Sequence, residues 1–299
     1  MSNTFEGVIV KLLSGYYYCM TDDGEIVCCR ARGLFRKDGI SPLAGDRVEF
    51  IKSTGDGSVV SILPRKNCLV RPAAANIDRI VIVSAHSVPA PNTLLIDRMT
   101  AIAAKSDIEC VVVFNKADLG DMSEYCEIYL GAGFKTFVVS ADTGEGIDEL
   151  KAYLSNGFNV FTGNTGVGKS SILNKIIGKD IIATGEVSEK LGRGRHTTRH
   201  IELYPICKGA YAADTPGFSS LTFEDAEFIT KEEMLSCFPD ISKYDTGCKF
   251  VSCSHMSEPG CAIKAALNKG LIVPSRYESY CAMYNEVKDI KEWERKKKK

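Results

Sequence analysis

The chain has 299 residues, 44% hydrophobic and 25% charged, with 37 basic side chains against 38 acidic ones. This composition excludes wholesale disorder, suits two or three domains, and leaves a formal charge of −1 that carries no nucleic-acid signal for the chain as a whole. The longest apolar runs, such as 80–83 and 110–114, are strand-length, whereas a membrane span needs roughly 20 residues. Glu6 and Lys11 interrupt the N-terminal apolar stretch, unlike a secretory leader. The 12 scattered Cys fit a reducing compartment, so a cytoplasmic protein without a membrane segment is expected.

The first elements are short strands. Phe5–Leu13, Tyr16–Met20 and Glu25–Arg30 are rich in Val, Ile, Tyr and Cys and are separated by Ser14-Gly15 and Asp22-Asp23-Gly24, which favour tight turns. Arg47–Lys52 and Ser58–Leu63 flank Gly55-Asp56-Gly57. Five short strands in so little chain predict a closed β-barrel of the OB type, with Pro64-Arg65-Lys66-Asn67 as a linker behind it. From Arg79 the rhythm changes. Continuous apolar runs at Arg79–Ala85, Cys110–Asn115, Thr136–Ser140 and Phe158–Gly163 alternate with helical patterns at Thr93–Lys105, Ser123–Gly131, Ile147–Leu154 and Lys169–Gly178. That alternation predicts an α/β domain, its mostly parallel sheet covered on both faces. Ile201–Cys207 and Ala210–Asp214 read as a hairpin closed by Lys208-Gly209. The rest is helical, with a Cys/His cluster and a basic tail. The expected domains are 1–67, 68–222 and 223–299.

Gly163-Asn164-Thr165-Gly166-Val167-Gly168-Lys169-Ser170 fits the phosphate-loop pattern G-x-x-x-x-G-K-[ST] in full, between a predicted strand and a predicted helix. Glycines let backbone N–H groups curl around phosphates, and the helix start adds partial positive charge. Lys169 would reach the β- and γ-phosphates, the Ser170 hydroxyl would ligate Mg²⁺, and Ser171 would meet the α-phosphate.

Asn115-Lys116-Ala117-Asp118 matches N-K-x-D and also ends a predicted buried strand. A carboxylate offers two adjacent acceptors, so Asp118 would hold guanine N1–H and its N2 amino group together. Adenine would leave that carboxylate unpaired, and the asymmetry makes the site selective. Asn115 and the Lys116 stem would frame the ring, and Ser140-Ala141 would present the Ala141 N–H to guanine O6.

The motif order is unusual: Asn115–Asp118 comes before the phosphate loop, and Asp214-Thr215-Pro216-Gly217 follows as D-x-x-G. All these loops belong at the carboxyl edge of a parallel sheet, which is left intact when the termini move elsewhere, so the order implies a circularly permuted G domain. In this order of N-K-A-D, G-N-T-G-V-G-K-S and D-T-P-G, with a barrel ahead and a Cys/His cluster behind, the chain resembles the ribosome small-subunit-dependent GTPases of the RsgA (YjeQ/YloQ) family. The resemblance implies an OB barrel, a permuted GTPase domain and a zinc domain. It also implies a role late in maturation of the small (30S) ribosomal subunit, near its decoding region, with slow GTP hydrolysis to GDP that the subunit stimulates.

Gly192-Arg193-Gly194-Arg195-His196-Thr197-Thr198-Arg199-His200 lies where a GTPase needs a mobile threonine to close on Mg²⁺. Thr197 and Thr198 are the candidates, with Thr198 preferred, and Asp214 would hold Mg²⁺ through a water. From Lys190 to His200 there are four basic residues and no acid, either a solvated loop or a contact to RNA phosphates through Arg193 and Arg195. The residue after D-x-x-G, a water-orienting Gln in Ras-type enzymes, is Phe218, as the resemblance implies for this family. Either His196 or a ribosomal group would complete the site. An RNA-binding module whose nucleotide site is regulatory stands as the alternative. An ATP-dependent P-loop enzyme is disfavoured by Asp118.

Cys248-x₄-Cys253-x-His255-x₅-Cys261 supplies four ligands for one tetrahedral, structural Zn²⁺, with Gly247 and Pro259-Gly260 as turns. Cys237 and Cys281 fall outside that spacing and read as core. In the barrel, Arg30, Arg32, Arg36 and Lys37 cluster beside Phe35, and Tyr16, Tyr17 and Tyr18 share one strand, a basic and aromatic pattern that OB barrels turn toward RNA. Strand alternation makes at least one of those tyrosines core. A monomer is expected.

Overall fold

In a computed structural model of the chain, the residues described are 4–31, 41–69, 73–86, 90–180, 201–214 and 229–290. Strands β1 (Thr4–Leu13), β2 (Tyr16–Met20), β3 (Ile26–Ala31), β4 (Arg47–Ile51) and β5 (Gly57–Ile62) close into a barrel in the order β1-β2-β3-β5-β4. All its pairings are antiparallel except β3 with β5, the expected OB-like topology. Period-2 alternation turns Ile9, Cys19, Cys29, Val48, Phe50 and Val59 into the barrel core. Tyr17 packs on that core, whereas Tyr18 packs on the core of the next domain.

Behind the barrel, β6 (Cys68–Leu69) and β7 (Ala74–Ala75) form a two-stranded ribbon that the sequence pattern does not reveal. It lies between the barrel and the main sheet. Gly45 is where they meet: it adopts φ +88°, and a Cβ there would stand 2.2 Å from the Ala75 carbonyl oxygen and 3.0 Å from the Phe158 ring. Next to it, fully buried Asp46 accepts from Arg65 Nε at 2.7 Å and Arg65 Nη2 at 2.8 Å. The expected linker is thus tied to the base of the barrel rather than free.

The main sheet comprises β8 (Arg79–Ala85), β9 (Glu109–Asn115), β10 (Lys135–Val138), β11 (Gly157–Thr162), β12 (Leu203–Cys207) and β13 (Ala210–Asp214), in the order β10-β9-β8-β11-β13-β12. Only β12 is antiparallel, paired with β13 as the expected hairpin. The central strands are apolar on both faces because both are covered. Ile80 and Ile82 of β8 point into a core with helices α1 (Thr93–Lys105) and α2 (Ser123–Gly131), while Val81 and Val83 point into one with α3 (Ile147–Tyr153) and α4 (Lys169–Ile177). Helix α1 begins where Asn92 Oδ1 accepts the Leu95 N–H at 3.2 Å, and its Ile96, Met99 and Ile102 meet the sheet at helical spacing.

The other face of α1 carries the C-terminal helices α5 (Pro239–Ser242), α6 (Ala262–Asn268) and α7 (Pro274–Val287). Arg276 of α7 is fully buried. Its guanidinium donates to Asp97 of α1 at 2.7 Å, to Thr100 Oγ1 at 3.0 Å and to both oxygens of Asp240 at 2.8 and 3.0 Å, between the rings of Phe134 and Phe238. Tyr129 of α2 also donates to Asp97. Replacing Arg276 by Leu leaves two buried carboxylates without a counter-charge. It is expected to cost about 3–5 kcal/mol, read as a lower denaturant midpoint.

Candidate functional site

The parallel strands bring β8, β9, β10, β11 and β13 to one carboxyl edge, and the motifs collect there. The phosphate loop runs from the end of β11 into α4, with Gly168 as the N-cap in the left-handed region at φ +91°. Val167 is buried in the core beneath and anchors the loop. Lys169 is buried as well. Its Nζ donates to the carbonyls of Gly163 at 2.9 Å and Asn164 at 3.0 Å, and burial pushes its ammonium pKa down against the opposing pull of Asp214. A desolvated ammonium held by carbonyls at a helix start is a ready partner for phosphate oxygens.

The base motif is wired to this loop through Asn115, which is 2% exposed. Asn115 Nδ2 donates to the Val167 carbonyl at 2.8 Å, and Asn115 Oδ1 accepts the Ala141 N–H at 3.0 Å. Both polar ends of the amide therefore hold neighbouring loops together. Gly168 makes room for it, since a Cβ there would lie 2.2 Å from Asn115 Nδ2. The chain turns at Lys116 with φ 62° into a short 3₁₀ segment, Ala117–Leu119. This presents Asp118 as an exposed carboxylate, oriented by the hydroxyl of fully buried Ser140, which donates to Asp118 Oδ1. Beside them opens a cleft of about 680 Å³ whose lining includes Asn115, Lys116, Asp118, Ala141 and Ser171. That volume suits a small-molecule ligand.

At the opposite end of the loop, Ser170 Oγ donates to Asp214 Oδ2 at 2.7 Å. A hydroxyl and a carboxylate in contact at the start of α4 are hard oxygen ligands of the type that Mg²⁺ takes alongside phosphate oxygens. Arg193, Arg195, His196, Thr197, Thr198, Gly217 and Phe218 lie outside the described residues. So do Arg32, Arg36 and Lys37 of the barrel. Arg30 donates to Asp56 Oδ2 at 2.9 Å and to the Tyr16 hydroxyl, and its guanidinium stands over the Tyr16 ring. Its charge is thus already partnered within the barrel.

Cys248, Cys253, His255 and Cys261 converge, with their ligand atoms within 4.8 Å of one another. His255 Nδ1 faces Cys248 Sγ at 3.6 Å and Cys261 Sγ at 3.5 Å. Burial pushes the His255 pKa down, keeping the imidazole neutral and its lone pair available. Burial pushes the Cys253 thiol up to about 12, so a cation among the donors is what would favour the thiolate. The donor set therefore fits a metal ion. Around it the Ala262 N–H points at Cys248 Sγ at 3.2 Å, and the Tyr277 hydroxyl donates to the His255 carbonyl at 2.6 Å. Glu258 accepts from Ser254 N–H and Oγ at 2.7 and 2.6 Å and from the Met256 and Ser257 N–H groups, which hold its carboxyl down to about 2. Sequence spacing finds the four donors but not this outer ring, whose members come from helices α6 and α7 and a glutamate with no motif of its own. Cys237 and Cys281 pack in the hydrophobic core as expected.

Two outcomes follow from this geometry. Gly168→Ala should weaken nucleotide binding by about tenfold or more in a direct titration, because the methyl displaces Asn115 and strains the loop together. Metal analysis should find one ion per chain. Cys253→Ser or a strong chelator should remove it and lower the melting temperature, whereas Cys281→Ser should leave it in place.

Residues 62–224 match the family model described as RsgA GTPase, and residues 6–60 that of the RsgA N-terminal domain. The small ribosomal subunit biogenesis GTPase RsgA of Caldanaerobacter subterraneus subsp. tengcongensis is 45% identical over 288 residues, spanning 95% of this chain and 96% of its own. The protein of the same name from Moorella thermoacetica is 45% identical over 286 residues, spanning 94% and 97%. Among solved structures, YjeQ from Thermotoga maritima matches with a TM-score of 0.82 at 35% identity over 97% of this chain and 100% of that one. YloQ, a circularly permuted GTPase, matches at 0.79 and 34% over 97% and 96%. With the motif order, the barrel and the Cys/His cluster, these likenesses agree: the chain belongs to the RsgA family of circularly permuted GTPases.

Proposed function

We propose that this protein is a GTP phosphohydrolase of small ribosomal subunit biogenesis, which binds the 30S subunit and its rRNA late in maturation and turns GTP into GDP and phosphate at a rate the subunit stimulates. The observation that carries the reading is the placement of Asp118, an exposed carboxylate oriented by Ser140 and tied to the phosphate loop through Asn115. The names of the relatives support the ribosomal partner. In this reading Asp118 selects guanine, and Asn115, Lys116, Ala117, Ser140 and Ala141 shape the base site. The 163–171 loop takes the phosphates, with Lys169 on their β- and γ-oxygens. Ser170, Thr198 and, through water, Asp214 hold Mg²⁺, which when bound neutralises charge on the phosphates. Gly217 closes the γ-phosphate end, and Arg193 and Arg195, with Arg32, Arg36 and Lys37 of the barrel, face rRNA.

The unit at 1–67 serves RNA binding, 68–222 nucleotide chemistry, and 223–299 is a zinc-stabilised helical unit. We assign one structural Zn²⁺ to the Cys₃His cluster because all four positions are filled by protein. Among the described residues no helix is long and apolar enough to cross a membrane. We assign the protein to the cytoplasm, as a monomer. Phe218 offers no hydrogen bond to an attacking water, so intrinsic turnover is slow, in the range of about 10⁻⁴ to 10⁻² s⁻¹ for unassisted G proteins. Phe218 also favours the second reading, an RNA-binding module with a regulatory nucleotide site.

Multiple-turnover phosphate release separates the two. Small subunits, but not large ones, should accelerate GTP hydrolysis strongly and leave ATP untouched. Nucleotide binding without stimulation would establish the regulatory module instead. In the same assay, full stimulation of His196→Ala would assign the water-positioning group to the ribosome.

A further inference from the structure

The barrel places a charge near the hairpin that carries Asp214. β1 carries a bulge, pairing Ile9 with Cys19 and then Lys11 with Tyr18. Strand alternation buries Ile9 in the barrel core and Val10 in the core it shares with Ile201, Leu203 and Ala213, and the extra residue changes the phase after them, so that Lys11 does not follow Ile9 inward. Lys11 forms an antiparallel bridge to Glu202, and its Nζ lies 2.9 Å from Glu202 Oε2. Glu202 immediately precedes β12, whose ladder pairs Leu203 with Ala213 and Tyr204 with Ala212. Glu202 and Asp214 therefore flank the same pair, Leu203 and Ala213, at the open end of the hairpin. Strand alternation puts Glu202, Tyr204 and Asp214 on one face of the hairpin. The Tyr204 phenol registers them: burial first, then Glu202 and Asp214, push it up to about 12. Carboxylates on one face at the end of a hairpin repel, and the Lys11 ammonium neutralises one of them.

We propose that Lys11 is a positioning residue for the triphosphate-bound state: by neutralising Glu202 it keeps uncompensated negative charge away from Asp214 and the γ-phosphate, so that the barrel sets the preference for GTP over GDP. The inference rests on the reading that Asp214 faces Mg²⁺ and the γ-phosphate. The pair is partly open to solvent, with side chains 34% and 39% exposed, so its influence is screened by salt but not abolished.

The test is equilibrium binding of GDP and of a non-hydrolysable GTP analogue to the full chain. Lys11→Ala should weaken the GTP analogue about fivefold and leave GDP unchanged, and the loss should shrink at high salt. Glu202→Gln added to Lys11→Ala should restore the ratio, because it removes the charge left unpaired. An unchanged ratio, an equal loss for both nucleotides, or a loss that Glu202→Gln does not repair would overturn the proposal. Asp214→Asn separates the two layers of the argument. If it lowers the GTP-to-GDP preference while Lys11→Ala does not, only the role of Lys11 fails. If it too leaves the preference untouched, the placement of the γ-phosphate fails and the role of Lys11 with it.

Discussion

The buried amide of Asn115 is the contact on which the rest of the site depends. It stands at the end of β9 and bonds at once to the phosphate loop behind β11 and to the Ala141 segment behind β10. Three loops far apart in the chain thereby share one rigid reference. A buried amide with both ends satisfied is stable where it is and costly to move, since any displacement leaves polar groups unpaired in the interior. Gly168 is part of the same constraint, because a side chain there would occupy the space of the amide.

That reference also explains why the permuted order of motifs is physically tolerable. A parallel sheet collects the loops at its carboxyl edge by strand order in space, β10-β9-β8-β11-β13, and chain order does not enter. Permutation instead changes what is attached at the ends. One strand of the hairpin β12–β13 ends at Asp214, and Glu202, just ahead of the other, meets Lys11 of the barrel. The segment that carries Asp214 and the barrel are therefore in contact.

Helix α1 performs the corresponding task for the C-terminal unit. Ile96, Met99 and Ile102 face the sheet, whereas Leu94, Asp97 and Ala101 face the C-terminal helices. Arg276 fixes that second face with an ion-pair geometry that apolar packing alone would not specify. Arg98 with Glu286, at 2.7 Å, and Lys105 with Glu233, at 3.0 Å, extend the contact at its rim.

Much of this was legible in the sequence, for a local reason. Apolar runs mark the central strands because burial on both faces leaves no room for polar residues, and the expected bounds of β8, α1 and α2 are those observed. The phosphate-loop pattern, N-K-x-D and the Cys/His cluster are short segments complete within a few residues, so spacing alone picks them out. The sequence by itself thus determined the elements, the motifs and their permuted order. Only the tertiary structure decided that Gly45 must lack a side chain, that Arg276 lies buried between two aspartates, that Arg30 is already partnered, and that a bulge turns Lys11 toward Glu202. Each of these depends on residues brought together from distant parts of the chain, and a local pattern carries no record of a partner that folding alone supplies.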